Sequence, residues 1–429
     1  MINFKTLSKY LKFEKHIQVM VISEALCAFA FGMYFFLQIL YLNSVNISSS
    51  DIGIIFSIGS LFSLLGFIVG PFINRFGRKN ILSLGFLIIA FGIWLYTIFY
   101  KFFPLLISQI IINIGFCFIQ VTEIQLLYSY TTIDNECCAY SYKSSVNLIF
   151  AALGTLVAGN INKINLFKNI GYKTLFYIAI VFILITFLIR KFMLPKDIKN
   201  VCKCEPVKKS LEKSIKYIKI DKQIRSFSIV LFIISIAFSS VGPYNNLILK
   251  EYFFLDNSSI SIINFSITVF STLGLIIMPI IIDKIGKGLF NGIMLIITII
   301  SCSLLALSLN KNVFIIILVI RCVFAMITSF TLDSTMMSNI ELKYRDVFAG
   351  IKLLVNSISI ALGNFIGGIL LNKIGFKGNY FFGTIFLLLT MIFFFFKVRK
   401  CFKSNNATNK KNKKCCSLIE KHDKVKDKD

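Results

Sequence analysis

Twelve apolar runs of about 20 residues each divide this chain, a length that crosses the roughly 30 Å hydrocarbon core of a bilayer as a helix. They fall at about 17–42, 52–74, 80–100, 103–130, 143–162, 172–194, 224–249, 258–282, 288–309, 312–339, 352–372 and 379–397. Lipid offers no partner for a free backbone N–H or C=O, so each run has to close its own hydrogen bonds as a helix. The sixth run is the weakest, because Lys173 and Arg190 trim it, although both can snorkel toward the head groups. Composition agrees. The chain is 56% hydrophobic with 46 Phe, and its mean hydropathy is +0.79, outside the range of soluble domains.

The formal net charge is +26 although only 15% of residues are charged. Spread over one folded surface, that charge would suggest a nucleic-acid partner. Here it gathers in short patches between the runs, so membrane lipid is the expected partner and nucleic acid is not. Lys and Arg crowd the N-terminus, the 75–79 and 284–287 turns, the central loop, the 340s and the tail. An even number of spans puts both termini on that side, and the bias of basic residues places it in the cytosol. The expected organisation is a cytosolic amphipathic segment at 1–16, with Phe4, Leu7 and Leu11 on one face. A six-helix bundle follows at 17–194, a basic linker at 195–223, a second bundle at 224–397, and a disordered basic tail at 398–429. The first run is too long for a cleaved signal, and no small-residue cleavage site follows it. None of the 11 Cys falls in an outer loop, so structural disulfides are not expected. The Cys202 and Cys204 pair lacks a nearby His or second pair, so no metal site is expected either. Asn46-Ile-Ser48 and Asn257-Ser-Ser259 read as glycosylation acceptors that hug the outer side. Only two His occur, His16 and His422, both outside the runs, and there is no phosphate loop or nucleophile motif. The reading is not an enzyme, and no cofactor is expected.

Shifting the sequence by 209 residues aligns it with itself. Asn74-Arg75-Phe76-Gly77-Arg78 falls on Asp283-Lys284-Ile285-Gly286-Lys287, Lys143 on Lys352, Asn147 on Asn356, and Gly154 and Gly159 on Gly363 and Gly368. Apolar matches are cheap in such a chain; matches of Lys, Asn, Gly and a basic turn in one register are not. The chain is therefore two halves of six helices.

Gly70-x-x-x-Asn74-Arg75-x-Gly77-Arg78-Lys79 resembles the G-x-x-x-D-R-x-G-R-K signature of the major facilitator superfamily, between helices 2 and 3. Asp283, Lys284, Gly286 and Lys287 form a degenerate second copy, with Pro279 in place of its glycine. The resemblance covers residues 17–397. It implies an all-α integral, multi-pass membrane protein of 12 transmembrane helices in two pseudo-symmetric six-helix bundles. It also implies a monomeric secondary transporter that moves a small-molecule substrate by alternating access, and a cytosolic gating latch. In that latch the acidic motif position faces the start of helix 11, and a basic motif residue pairs with an acid near the end of helix 4, where Glu123 stands. By the repeat, Asp333 is the expected partner of Lys284 or Lys287, and Asp283 faces the start of helix 5. Asn74, in place of Asp, can cap a helix but brings no charge. Gly77 permits the tight reversal, and Arg75, Arg78 and Lys79 hold it in the cytosol.

The resemblance also implies that helices 1, 4, 7 and 10 line the central cavity. Polar groups are costly in lipid, so their spacing is informative. Gln109, Asn113, Gln120 and Glu123 fall within an arc of about 80° on the fourth run. Ser228, Ser235, Ser239 and Asn246 form a stripe on the seventh, Glu24 and Gln38 share a face on the first, and Arg321 and Thr328 one on the tenth. These are the candidate substrate-cavity residues. Arg321 either meets an anionic group of the substrate or makes a structural pair. Glu24 either carries a proton or is salt-linked to a Lys or Arg. The glycines at 154, 159, 363, 367 and 368 are expected to allow close helix packing. The expected solute is a small organic anion or amino-acid-like metabolite, with proton coupling through Glu24. A multidrug exporter and a non-transporting scaffold are the alternatives.

Overall fold

A computed structural model describes residues 14–131, 136–163, 171–195, 217, 221–341 and 344–399. The expectations for segment 1–13, for most of the linker, for the tail beyond 399 and for the side chain of Asn74 lie outside the described residues, as does Gly70 beyond its place in a helix. The helices are α1 (Lys15–Ser44), α2a (Ser49–Phe62), α2b (Gly66–Phe76), α3 (Arg78–Ile98), α4 (Phe102–Ser129), α5 (Glu136–Asn160) and α6 (Tyr172–Met193). The second half holds α7a (Lys222–Val241), α7b (Asn245–Glu251), α8 (Asn257–Ile285), α9 (Lys287–Leu307), α10 (Lys311–Ser338), α11 (Arg345–Lys373) and α12 (Phe376–Phe393). Single 3-10 turns at Ser63–Leu65 and Gly242–Tyr244 interrupt α2 and α7, and a π-turn at Phe394–Val398 ends α12.

Among the described residues, eleven helices are long and apolar enough to cross a membrane. The twelfth expected span is α2, which the 3-10 turn splits into helices of 14 and 11 residues. Each half pairs its helices alike. In the first, α1 packs on α5 and α6, α4 on α2 and α3, and α3 on α6; in the second, α7 packs on α11 and α12, α10 on α8 and α9, and α9 on α12. The halves meet along α2 with α11 and α5 with α8.

The repeat is visible in the backbone. Gly77 ends α2b at φ 78°, ψ 154°, and Gly286 ends α8 at φ 85°, ψ 151°, a region that side chains disfavour. Each glycine donates its N–H four residues back, Gly77 to Ile73 and Gly286 to Ile282, both at 2.8 Å. These turns lie on what is called here the near face, the side of Lys15 and Val398. The opposite side is the far face.

The hydrogen bonds that join the halves, among the described residues, lie from mid-span to the far face. Ser258 Oγ donates to Asn160 Oδ1 at 2.5 Å, Lys250 Nζ to Tyr172 OH at 2.5 Å, and Asn364 Nδ2 to Ser60 Oγ at 3.4 Å. Small residues make this approach possible. A Cβ on Gly159 would stand 2.2 Å from Ser261 Cβ, and one on Gly53 2.8 Å from the Asn364 carbonyl. Asn257, a glycosylation candidate by sequence, is engaged in this seal, where its Nδ2 donates to Tyr172 OH at 3.1 Å.

Candidate functional site

Among the described residues, buried charge stands in each half of the helix bundle, and the two places differ in kind. In the first half Glu24 (α1), Glu123 (α4), Lys143 (α5) and Arg190 (α6) converge near the near face. Arg190 has no exposure, and all three of its nitrogens are used. Nη1 donates to Glu123 Oε1 and Nη2 to Glu24 Oε2, each at 2.6 Å, and Nε donates to Ser23 Oγ at 3.0 Å. The Phe86 ring lies 4.9 Å from its guanidinium carbon. Lys143 Nζ sits 2.7 Å from Glu123 Oε2 and 3.3 Å from Glu24 Oε1, which also accepts from Asn147 Nδ2 at 2.6 Å. Two anions and two cations cancel, and every carboxylate oxygen has a partner. Such a cluster ties four helices together, and it is costly to break because any single loss strands a buried charge.

This arrangement revises two expectations. Glu123 pairs with Lys143 and Arg190, helices of its own half, where the latch expectation gave it a basic residue of the 75–79 turn. Glu24 takes the salt-linked alternative, held by Arg190 and Lys143. The sequence reading used Arg190 only to trim a span and Lys143 only to mark the repeat. The usable signal was that two basic residues and two acids fall at similar depth near the ends of their runs.

The basic turn is itself engaged with its own half. Lys79 Nζ donates to the Leu194 carbonyl just past α6, and Lys191 Nζ donates to Asn80 Oδ1 at 2.8 Å. Cations at a helix C-terminus are favoured there. Arg75 is exposed and lies over the Phe76 ring at 5.3 Å. In the second copy Asp283 and Lys284 are exposed, and Lys287 Nζ donates to Ser338 Oγ at 3.1 Å. Asp333 pairs with Lys352 of α11 at 2.5 Å, a different partner from the expected Lys284 or Lys287. Lys352 is the repeat counterpart of Lys143, so the α4–α5 ion pair does recur as an α10–α11 pair. It recurs alone, and its side chains are 31% and 34% exposed.

Several expected cavity residues face helices instead. Gln109 Oε1 accepts from Gln38 Nε2 and Tyr96 OH at 2.6 Å each, and from Tyr34 OH at 3.3 Å, all within the first half. Thr328 is fully buried and donates to the Phe324 carbonyl, with its oxygen 3.5 Å from Thr298 on α9. Ser239 donates to the Ser235 carbonyl at 2.5 Å beside Gly363, and Asn246 Oδ1 accepts from Asn264 of α8 at 2.8 Å. Asn113 donates to the Gln109 carbonyl at 2.9 Å, and Gln120 is exposed. A polar stripe marks a face that is not lipid; it does not tell a cavity from a neighbouring helix.

Gln120, which is exposed, Arg321 and Ser235 remain. A cavity of about 310 Å³ lies between α7 and α10, beside the Gly242–Tyr244 break. Its walls are Phe238, Gly242, Asn245, Arg321, Cys322, Ala325, Met326, Ser329 and Phe330. Arg321 is 3% exposed, and its Nη1 has only the Cys322 sulfur at 3.9 Å. Nε and Nη2 have no hydrogen-bond partner. A separate, smaller cavity of about 40 Å³ shares Phe238 and Ser329 as walls and is also lined by Ser235, Asp333 and Asn356. A buried guanidinium with two unmet donors beside such a cleft carries a desolvation cost that a nearby anion would relieve.

Similar solved structures share this architecture. A bacterial homolog of the human lysosomal transporter Spinster, solved inward-facing and unoccupied, is 13% identical over 90% of this chain and 97% of its own, with a TM-score of 0.69. The nucleoside transporter NupG, as a point mutant, is 13% identical over 89% of this chain and 99% of its own, at 0.71. A bacterial metal transporter is 14% identical over 90% and 98%, at 0.66. At such identities the likeness is one of fold. No curated protein matches the chain by sequence. The sequence profile of the Major Facilitator Superfamily matches residues 20–339 and 227–424, and the chain belongs to that family of membrane transporters.

Proposed function

We propose that this protein is a secondary active transporter of a small organic anion, which binds at Arg321 and crosses by alternating access. The observation that carries the reading is the unmet Nε and Nη2 of a 3% exposed arginine at the wall of a 310 Å³ cavity. Leaving such donors dry costs about 1–3 kcal/mol, which an arriving anion would recover. Both termini are assigned to the cytosol from the bias of basic residues. The sealed far face is then the outer gate, and Arg321 is reached from the cytosol. Glu24 belongs to the scaffold in this reading, since both of its oxygens are held by cations.

Thermal unfolding of the purified protein against carboxylates, amino acids, sugars, nucleosides and cationic drugs tests the proposal. A ligand that binds the folded state raises the midpoint by mass action. Shifts confined to anions and lost in Arg321→Met support it. Shifts from sugars or cations that survive Arg321→Met contradict it.

A further inference from the structure

We infer that Lys352, Asn356 and Asp333 form a second solute subsite, which takes the head group of a neutral α-amino acid or a like zwitterion. Asp333 stands about 18 Å from Arg321 along α10, so the inference goes beyond the anion reading and does not depend on it.

The first half supplies the template. Glu24 Oε1 is held there by Lys143 Nζ at 3.3 Å and Asn147 Nδ2 at 2.6 Å, and Arg190 bridges Glu24 and Glu123. The 209-residue repeat keeps part of this arrangement. Lys143 and Asn147 recur as Lys352 and Asn356, again one turn apart on one helix face. Glu123 recurs as Asp333, one residue past the strict register, and Asp333 takes the matching lysine at 2.5 Å. The rest is not kept. Ile233 stands at the place of Glu24. Arg399, at the place of Arg190, lies over the Phe395 ring at 5.2 Å and in no ion pair among the described residues. Beside Lys352 the second half thus lacks one carboxylate and one cation.

The donor that would meet such a carboxylate is open. Asn356 Oδ1 accepts from Ser235 Oγ at 3.1 Å, and among the described residues its Nδ2 donates to nothing. The cavity of about 40 Å³ is lined by Asn356, Asp333 and Ser235, and by Ile234 next to Ile233. At about 30 Å³ per water-sized group it admits one end of a head group. The side chains of Lys352 and Asp333 are 31% and 34% exposed, so a solute reaches the pair without parting helices. Asp333 lies within about 8 Å of the near end of α10, and the approach is from the near face.

Charge selects the ligand. Lys352 and Asp333 already cancel. A lone carboxylate or a lone ammonium would leave an unmatched charge. A zwitterion adds one of each and rebuilds the balance of two anions and two cations seen in the first half. Its carboxylate meets Lys352 Nζ and Asn356 Nδ2, and its ammonium meets Asp333. A pair this exposed is weak enough to exchange partners, where the buried quartet is not.

The test is titration calorimetry on the full chain in detergent at neutral pH. The probes are alanine, leucine and phenylalanine. Each is compared with its deaminated acid (propanoate, isocaproate, phenylpropanoate) and with its decarboxylated amine (ethylamine, isoamylamine, phenethylamine). At least one amino acid is expected to bind about tenfold or more tighter than both of its single-charge analogues. Asp333→Asn leaves Lys352 unmatched, and should reverse the order so that the acid binds tighter than the amino acid. Lys352→Gln should reverse it toward the amine. The unliganded midpoint of each variant reports folding, and either reversal carries the test if the other variant does not fold. No binding by any amino acid of the set, binding equal to that of the analogues, or an order that neither substitution changes overturns the inference. Binding that Arg321→Met abolishes and Asp333→Asn leaves intact also overturns it, and places the head group at Arg321 instead.

Discussion

Arg190 and Arg321 are both buried arginines on membrane helices, one in each half, and their surroundings are opposite. Arg190 has every nitrogen bonded, sits on two carboxylates and lies over an aromatic ring. Arg321 has a ring and a sulfur beside it, and two nitrogens with no partner. The halves descend from one pattern: Lys143 and Lys352 occupy matching places, as do Gly77 and Gly286. Within that pattern the first half has closed its charges on themselves, and the second has left one open. A closed cluster stiffens a bundle and has nothing left for a solute. An open cation carries the cost of desolvation until something binds. The difference separates scaffold from site better than the polar stripes do.

The largest expected effect lies in the closed half. Arg190→Met keeps most of the side-chain volume but leaves Glu24 and Glu123 sharing Lys143. A loss of about 3–5 kcal/mol is expected, read as a lower unfolding midpoint in detergent. Adding Glu24→Gln to that variant removes one stranded charge and should return part of the loss, since neighbouring sites couple. If the double variant is worse than the single by the full cost of Glu24→Gln alone, the cluster is not one unit.

The seal between the halves sharpens the comparison at a smaller scale. Gly159→Val places carbon where Ser261 and the Asn257 carbonyl already stand. It is expected to cost about 1–3 kcal/mol and to spread α5 from α8 at the far face. Modification of Ser258→Cys by a water-soluble maleimide should then be faster than with Gly159 intact. Unchanged labelling would contradict the far-face seal.

The smallest effect is at the cap of α8. Asp256 accepts from the Ser259 N–H at 3.3 Å, and hydrogen bonding to Ser259 holds its carboxyl below the usual 3.8. Its contribution is therefore present above the ordinary carboxylate range and lost as pH falls through the lowered folded value. Asp256→Ala should cost about 1 kcal/mol at neutral pH, and less in acid, when unfolding is followed across pH.

Much of the fold was legible in the sequence for a plain reason. Lipid forces every span to be a long apolar helix, and the 209-residue repeat survives in the residues that turns and close contacts require. The spans α3 and α9 keep that offset at both ends, Arg78–Ile98 against Lys287–Leu307. The split of α2 at Ser63–Leu65 was not legible, because the residues on either side are as apolar as a continuous helix would be. Of the proposed site, Arg321 and Ser235 were legible: a single charge in an apolar run needed an explanation, and Ser235 lay on the polar stripe of the seventh run. Gln38, Gln109 and Thr328 shared helical faces with cavity candidates, but helical spacing cannot say which neighbour a face meets. The quartet was missed because its members come from four helices and meet only in three dimensions.

The most direct test of the contrast is the same substitution in both halves. Unfolding midpoints of Arg190→Met and Arg321→Met should be measured side by side without ligand. The account predicts a large fall for Arg190→Met and no fall, or a rise, for Arg321→Met, which removes a buried charge that nothing neutralises. Equal falls in both would mean that Arg321 is held by the protein after all, and would contradict its assignment to a solute.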